Sequence, residues 1–178
     1  MITSIKMLFL FVILTGGLYP LLITGIGQLL FHDCVNGSLV VVNKKIRGSA
    51  LIGQKFSSER YFWGRPSSVE YNAECSGATN FSPLHPEFKK SVLARQESFC
   101  QAHKIVDKKS VPAEIILCSG SGLDPHITYQ AAYLQVGRIA SVRNLSEEKK
   151  QQLLHILHLN KKYINLLELN LALDNLCE

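Results

Sequence analysis

The sequence predicts an α+β protein: one N-terminal transmembrane helix followed by a single compact mixed domain. Three observations predict it. No residue from Met7 to Phe31 is charged, although the chain of 178 residues is 19% charged. The mean hydropathy is nevertheless +0.11, so apolar character is concentrated rather than spread. The remaining residues, 32–178, mix short β-branched runs with amphipathic helical periods. A bilayer core of about 30 Å needs about 20 apolar helical residues, which residues 7–31 supply. The rest is long enough for one core, which excludes a multi-span transporter and a pore formed by this chain alone.

A cleaved signal peptide is the competing reading of the first segment. Its small-residue cleavage site is missing: Thr15, Gly16 and Gly17 come early, and the first alanine is Ala50. A retained helix spanning about 7–31 fits better, with residues 1–31 as the membrane segment and 32–178 as the domain. Gly17, Pro20, Thr24, Gly27 and Gln28 recur at helical spacings, so they share one face suited to a neighbouring membrane helix. Pro20 cannot donate to the Gly16 carbonyl, and that group needs another partner in lipid. Lys6 precedes the span; Lys44, Lys45 and Arg47 follow it at a distance. These charges leave the side of the membrane open.

In the domain, Leu39–Val42 and Ser49–Phe56 read as short strands, and Tyr61–Pro66 as a strand running into a turn. The stretch 67–86 is rich in Ser, Gly, Asn and Pro and reads as a loop. After Pro86 a helix is expected, with Phe88, Val92, Phe99, Ala102 and Val106 on one face. Glu114–Cys118 is expected as a strand. A second helix starts at the cap Thr128 and buries Ala132, Val136, Ile139 and Ala140. Ser146 caps a third helix, with Glu147 and Glu148 in its first turn. From Leu167 to Leu173 leucines alternate with Glu168, Asn170 and Ala172. That pattern suits a strand, and also a buried helix end.

Charge and cysteine usage exclude several classes. The net charge is +5. Residues 89–109 carry Lys89, Lys90, Arg95, Lys104, Lys108 and Lys109 against Glu97 and Asp107, which reads as a solvated face. Neither aromatic interleaving nor a recognisable module supports nucleic-acid binding. Cysteines 34, 75, 100, 118 and 177 are odd in number and form no CxxC, against a disulfide framework and a zinc ribbon. Thiols are expected for most of them, with room for one disulfide. His155 and His158 form a helical pair without a third ligand at metal spacing.

Ser119-Gly120-Ser121-Gly122-Leu123-Asp124-Pro125 is the best loop for a site. Such a loop before a helix can cradle phosphate, but the Lys-Ser/Thr ending of a P-loop and the GxGxxG pattern are both absent. The plain alternative is a structural turn that needs Gly122 at positive φ, with Asp124 capping it. Ser119 or Ser121 with Asp124 and His126 supplies the residue types of a hydrolase triad. A turn this tight rarely disposes a base and an acid around a nucleophile. Gln135, Arg138 and Arg143 sit on the second helix, where pairing and capping are the ordinary roles.

Seven blocks in order resemble one family. They are Thr15-Gly16-Gly17-Leu18-Tyr19-Pro20-Leu21 with Thr24 and Gln28; Asn36-Gly37-Ser38-Leu39; Gly48 to Phe56; Tyr61 to Ser67; Ser119 to Ile127; Gln135 to Ala140; and Asn165 to Asp174. The chain resembles the KdpC family, the C subunit of the bacterial Kdp potassium-transporting ATPase. Two turns depart from the pattern, Ser76-Gly77-Ala78-Thr79-Asn80 and Leu117-Cys118. The resemblance implies an accessory subunit in the bacterial cytoplasmic membrane, beside a P-type ATPase subunit and a potassium-channel-like subunit. It implies a catalytic chaperone that raises the ATP affinity of the pump subunit through a transient ternary complex. Gln135 and Arg138 would then be the candidate ATP contacts. A second picture of the family has the domain outside the membrane, capping the potassium entrance. The sequence itself holds no Asp-Lys-Thr-Gly phosphorylation motif, and one helix cannot build a potassium filter.

Overall fold

The computed structural model describes residues 2–159 and 162–177. The chain divides into two compact units, Met1–Arg47 and Gly48–Glu178. The first begins with an apolar helix over Ile2–Leu30, the one segment among the described residues long and apolar enough to cross a membrane. It consists of α1 (Ile2–Ile13), a π-helical turn over Leu14–Leu18 and α2 (Tyr19–Leu30). The wide turn sits where Pro20 would disrupt a regular ladder: the Tyr19 N–H reaches back to the Leu14 carbonyl, a local shift common near helix interruptions. The Thr15 hydroxyl donates to the Phe11 carbonyl at 2.6 Å.

After Phe31 the chain reverses through α3 (His32–Val35) and enters a hairpin of β1 (Leu39–Val42) and β2 (Lys45–Ser49). Asn36 exchanges hydrogen bonds with Gln28 at 3.3 Å. Gln28, expected on a stripe facing another helix, is therefore engaged within the chain.

The second unit contains α4 (Pro86–His103), α5 (Ala113–Ile116), β3 (His126–Thr128), α6 (Tyr129–Arg143), α7 (Glu147–Leu159), β4 (Tyr163–Asn165) and α8 (Leu166–Cys177). Strands β3 and β4 pair antiparallel, with Ile127 opposite Ile164. Each of these strands runs directly into a helix. The Thr128 side chain accepts from Ala131 N–H and Ser146 from Lys149 N–H, so both expected caps form. The core lies between these helices: Phe62, Ile139, Leu153, Leu157 and Leu173 are completely buried.

Several expected strands are not strands. Glu114–Cys118 overlaps α5 instead, with Leu117 and Cys118 beyond its end. Pro112, extended at ψ 139°, starts a helical turn that buries Ile115. The Glu114 carboxylate accepts from Thr128 N–H at 2.7 Å. Leu167–Leu173 lies within α8. Asn165 Oδ1 accepts from Leu167 and Glu168 N–H and caps the helix. Leu166, Leu169 and Leu173 then follow helical spacing into the core. β2 ends at Ser49, and the following residues run irregularly, fixed by Gly53 N–H to the Leu123 carbonyl at 2.8 Å. Val106 is 97% exposed, because α4 stops at His103 with Lys104 in the left-handed region at φ 55°.

The Ser-Gly loop is a structural turn. Gly122 has φ +70°, and a Cβ there would lie 2.6 Å from Val69 Cγ2 and 2.8 Å from the Gly77 carbonyl oxygen. Asp124 Oδ1 accepts from His126 N–H at 2.9 Å, the expected cap. Gly122→Val is expected to destabilise the protein by at least about 1–3 kcal/mol, the scale for forcing a branched residue into a strained backbone region. Chemical denaturation of both proteins checks this, and equal midpoints would contradict it.

Candidate functional site

The chain passes from an exposed turn at Ser58–Arg60 into the interior at Tyr61–Trp63, where Phe62 is completely buried and no strand pairs with it. Buried peptide groups need partners, and here side chains provide them. From α8, Asn170 accepts from Phe62 N–H at 2.8 Å and donates to the Phe62 carbonyl at 3.1 Å. From α6, Gln135 accepts from Trp63 N–H at 2.8 Å and donates to the Trp63 carbonyl at 3.0 Å. Two carboxamides thus imitate the ladder that a strand would have made. Asn170 is 2% exposed and Gln135 is completely buried.

Arginines continue the clasp. Arg138 donates to the carbonyls of Glu59 and Tyr61, to Gln135 Oε1 and, through Nε, to His103 Nε2 at 2.9 Å. Its guanidinium carbon lies 4.2 Å from the centre of the Trp63 ring, a cation–π distance. Burial pulls its pKa down to about 10, which leaves it charged at neutral pH. Arg143 donates to the Arg60 carbonyl at 2.7 Å and pairs with Asp174 at 2.7 Å, while the Tyr61 hydroxyl donates to Asp174 at 3.1 Å.

Gln135 and Arg138, the candidate ATP contacts of the resemblance, touch each other at 3.2 Å as interior groups. The completely buried Gln135 side chain has no surface to offer a ligand. Arg138 is 8% exposed and borders a cleft of about 430 Å³, lined also by Glu59, His103, Lys104, Gly137 and Ser141. A second groove, of about 370 Å³, lies between Trp63, Gly64 and Pro66 on one side and Arg95, Phe99 and Ile115 on the other.

The triad types do not assemble. Ser121 Oγ accepts from Leu123 N–H at 3.1 Å, and Ser119 is buried. Asp124 is committed to Arg65 at 2.8 Å, and His126 Nδ1 stands 3.6 Å from its other oxygen. The carbonyls of Ser121 and Gly122 accept from Gly77 N–H and the Ser67 hydroxyl, which stitches the loop to residues 67–77. Among the described residues no group of His, Cys, Asp and Glu is arranged for a metal. All five cysteines are thiols.

Sequence reasoning passed over Asn170, Trp63 and His103. A signal for Asn170 was present: a single carboxamide among leucines at core spacing must find a buried partner. Gln135 sits between Ala132 and Val136 on the same apolar face and carried the same signal.

Comparison with known proteins followed the whole chain. The family described as "K+-transporting ATPase, c chain" (KdpC) matches residues 1–175. A protein of Caldanaerobacter subterraneus subsp. tengcongensis named "Potassium-transporting ATPase KdpC subunit" is 43% identical, covering 96% of this chain and 92% of its own. Proteins of the same name from Flavobacterium psychrophilum and Escherichia fergusonii are 43% and 44% identical. They cover 97% and 96% of this chain, and 96% and 95% of their own lengths.

His103 gives the clasp a pH dependence. Burial, with Arg138 beside it, pushes the imidazole down to about 4, although its hydrogen bond to the Phe99 carbonyl opposes the shift. The unfolded chain takes up that proton near pH ~6.5. Between these values the unfolded state binds more protons, so stability falls as pH drops from about 6.5 towards 4, then levels off. Melting temperature followed against pH is expected to fall less steeply in His103→Gln than in the unaltered protein. Parallel curves would remove His103 from the account.

Proposed function

Because the chain belongs to the KdpC family of potassium-transporting ATPase c chains, we propose that it is a non-catalytic accessory subunit of a high-affinity, ATP-driven potassium uptake complex. The helix Ile2–Leu30 would hold it in the bacterial cytoplasmic membrane beside a P-type ATPase subunit and a potassium-channel-like subunit. Similarity to KdpC subunits along nearly the full length is the observation that carries this reading. The structural employment of Ser121, Asp124 and Gln135 supports the non-catalytic part.

For the domain we favour the catalytic-chaperone role, in which it raises the ATP affinity of the pump subunit. The support is the cleft beside Arg138, where Lys104 adds a second positive charge and Ser141 a hydroxyl. In this reading Arg138 forms part of the wall of the cleft, Gln135 holds Arg138 from behind at 3.2 Å, and exposed Lys104 meets the phosphates. A second reading, a domain capping the potassium entrance, draws on the interior engagement of Gln135 and Arg138. Side chains spent on Trp63 and Tyr61 suit a rigid docking body as well as a nucleotide wall.

Separate titrations of ATPase activity against ATP and potassium in the reconstituted complex test both. The isolated chain is expected to hydrolyse no ATP. Under the chaperone reading, Lys104→Glu raises the apparent KM for ATP several-fold and leaves turnover at saturating ATP unchanged, as loss of ground-state binding does. Under the capping reading the ATP titration is unmoved by Lys104→Glu, and the potassium titration shifts when the chain is left out. If omitting the chain changes neither titration, both readings fail.

A further inference from the structure

We infer that the β1–β2 hairpin is a second membrane contact: it lies at the bilayer surface with Leu39, Val41 and Ile46 in the lipid interface and Lys44 and Lys45 against anionic phospholipid headgroups. This rests on the reading of Ile2–Leu30 as a membrane span. A helix of 29 residues is about 43 Å long and outreaches a hydrocarbon core of about 30 Å, so its end enters the headgroup zone. The chain does not then leave. It turns at Phe31, and Val35 packs on the last turn of the helix, its Cγ2 3.0 Å from where a Gly27 Cβ would be. Asn36 pairs with Gln28 and donates to the His32 carbonyl at 2.7 Å. Residue 36 is thus held at the level of residue 28, and the strand that starts at Leu39 begins beside the helix end.

The hairpin launched there is two-faced. Its two-residue turn has Asn43 at φ 52° and Lys44 at φ 59°, the twist that joins two strands directly. That turn sets Val42 opposite Lys45 and Val41 opposite Ile46, and alternation adds Leu39 to the same face. These three aliphatic side chains are 47%, 55% and 66% exposed. An aliphatic face on a two-stranded hairpin needs cover to be stable. The bilayer supplies cover at this location, and lysines at the turn complement its anionic surface, as in other interfacial elements.

Photo-crosslinking in the assembled complex tests this. A photoreactive residue replaces Ile46, Leu22 within the span, or the fully exposed Val106 of the second unit, in phosphatidylglycerol-containing bilayers. Phospholipid adducts are expected at Ile46 and Leu22 and not at Val106. Combining Lys44→Glu with Lys45→Glu should cut the Ile46 lipid adduct several-fold and spare that at Leu22, since each lysine near an anionic surface is worth about a fivefold change in partition. A lipid adduct at Leu22 with none at Ile46, or an adduct joining Ile46 to another subunit, overturns the inference and leaves the span intact. Loss of lipid adducts at both positions overturns the span together with it. An Ile46 adduct indifferent to the double charge reversal overturns the headgroup assignment.

Discussion

The domain depends on how it satisfies the peptide groups of Glu59–Trp63. Phe62 is completely buried and its neighbours Tyr61 and Trp63 are half-buried, so without a partner strand their N–H and C=O groups would go unpaired, each costing about 1–3 kcal/mol. Gln135 and Asn170 meet this by presenting one amide each to one residue each, on Trp63 and Phe62. Because the two carboxamides come from α6 and α8, the segment fixes those helices relative to each other. Arg138 extends the tie to α4 through His103, whose ring stacks on Phe99 at 4.0 Å. A buried guanidinium is costly when unpaired. Here four donated hydrogen bonds and the Trp63 face compensate it.

The same arrangement explains what could be read from residues alone. Local rules worked where the cause is local: Thr128 and Ser146 cap their helices, Gly122 takes its positive φ, and Asp124 closes the turn it follows. They failed where the partner is remote. Tyr61–Pro66 has the β-rich composition of a strand, but its hydrogen bonds go to side chains 72 and 108 residues away along the chain. Leu167–Leu173 satisfies both an alternating and a helical pattern, and only the Asn165 cap and the core behind Leu169 decide between them. Glu114 looked like the start of a strand because its actual task, receiving Thr128 N–H, has no sequence signature.

The candidate site shows the same division. The resemblance brought Gln135 and Arg138 forward together, and the structure joins them at 3.2 Å. Their depth follows from helical spacing: Ala132, Val136 and Ile139 are buried on α6, and a face that buries these must carry Gln135 between them. A polar residue at such a position is a core group with an obligatory partner before it is anything else. Changes at Gln135 therefore act first on the position of Trp63 and only then on any surface that α6 presents.

This ordering bears on how an accessory subunit of this family influences a partner. Both clefts are bounded by residues on or beside the clasped segment: Glu59 and Arg138 border one, Trp63 and Gly64 the other. Shifting Trp63 or Arg138 would break the hydrogen bonds that tie this segment to α6, and Gly64 leaves no room for a side chain, with Leu166 Cδ2 2.8 Å from where a Cβ would stand. Interiors packed to this degree are not continuously deformable. A domain built this way suits recognition by a preformed surface, in which affinity comes from shape and charge already in place. The exposed residues at the cleft margins, Lys104 and Ser141 foremost, are then the ones free to differ in what they touch, while Gln135, Arg138 and Asn170 are constrained by the segment they hold.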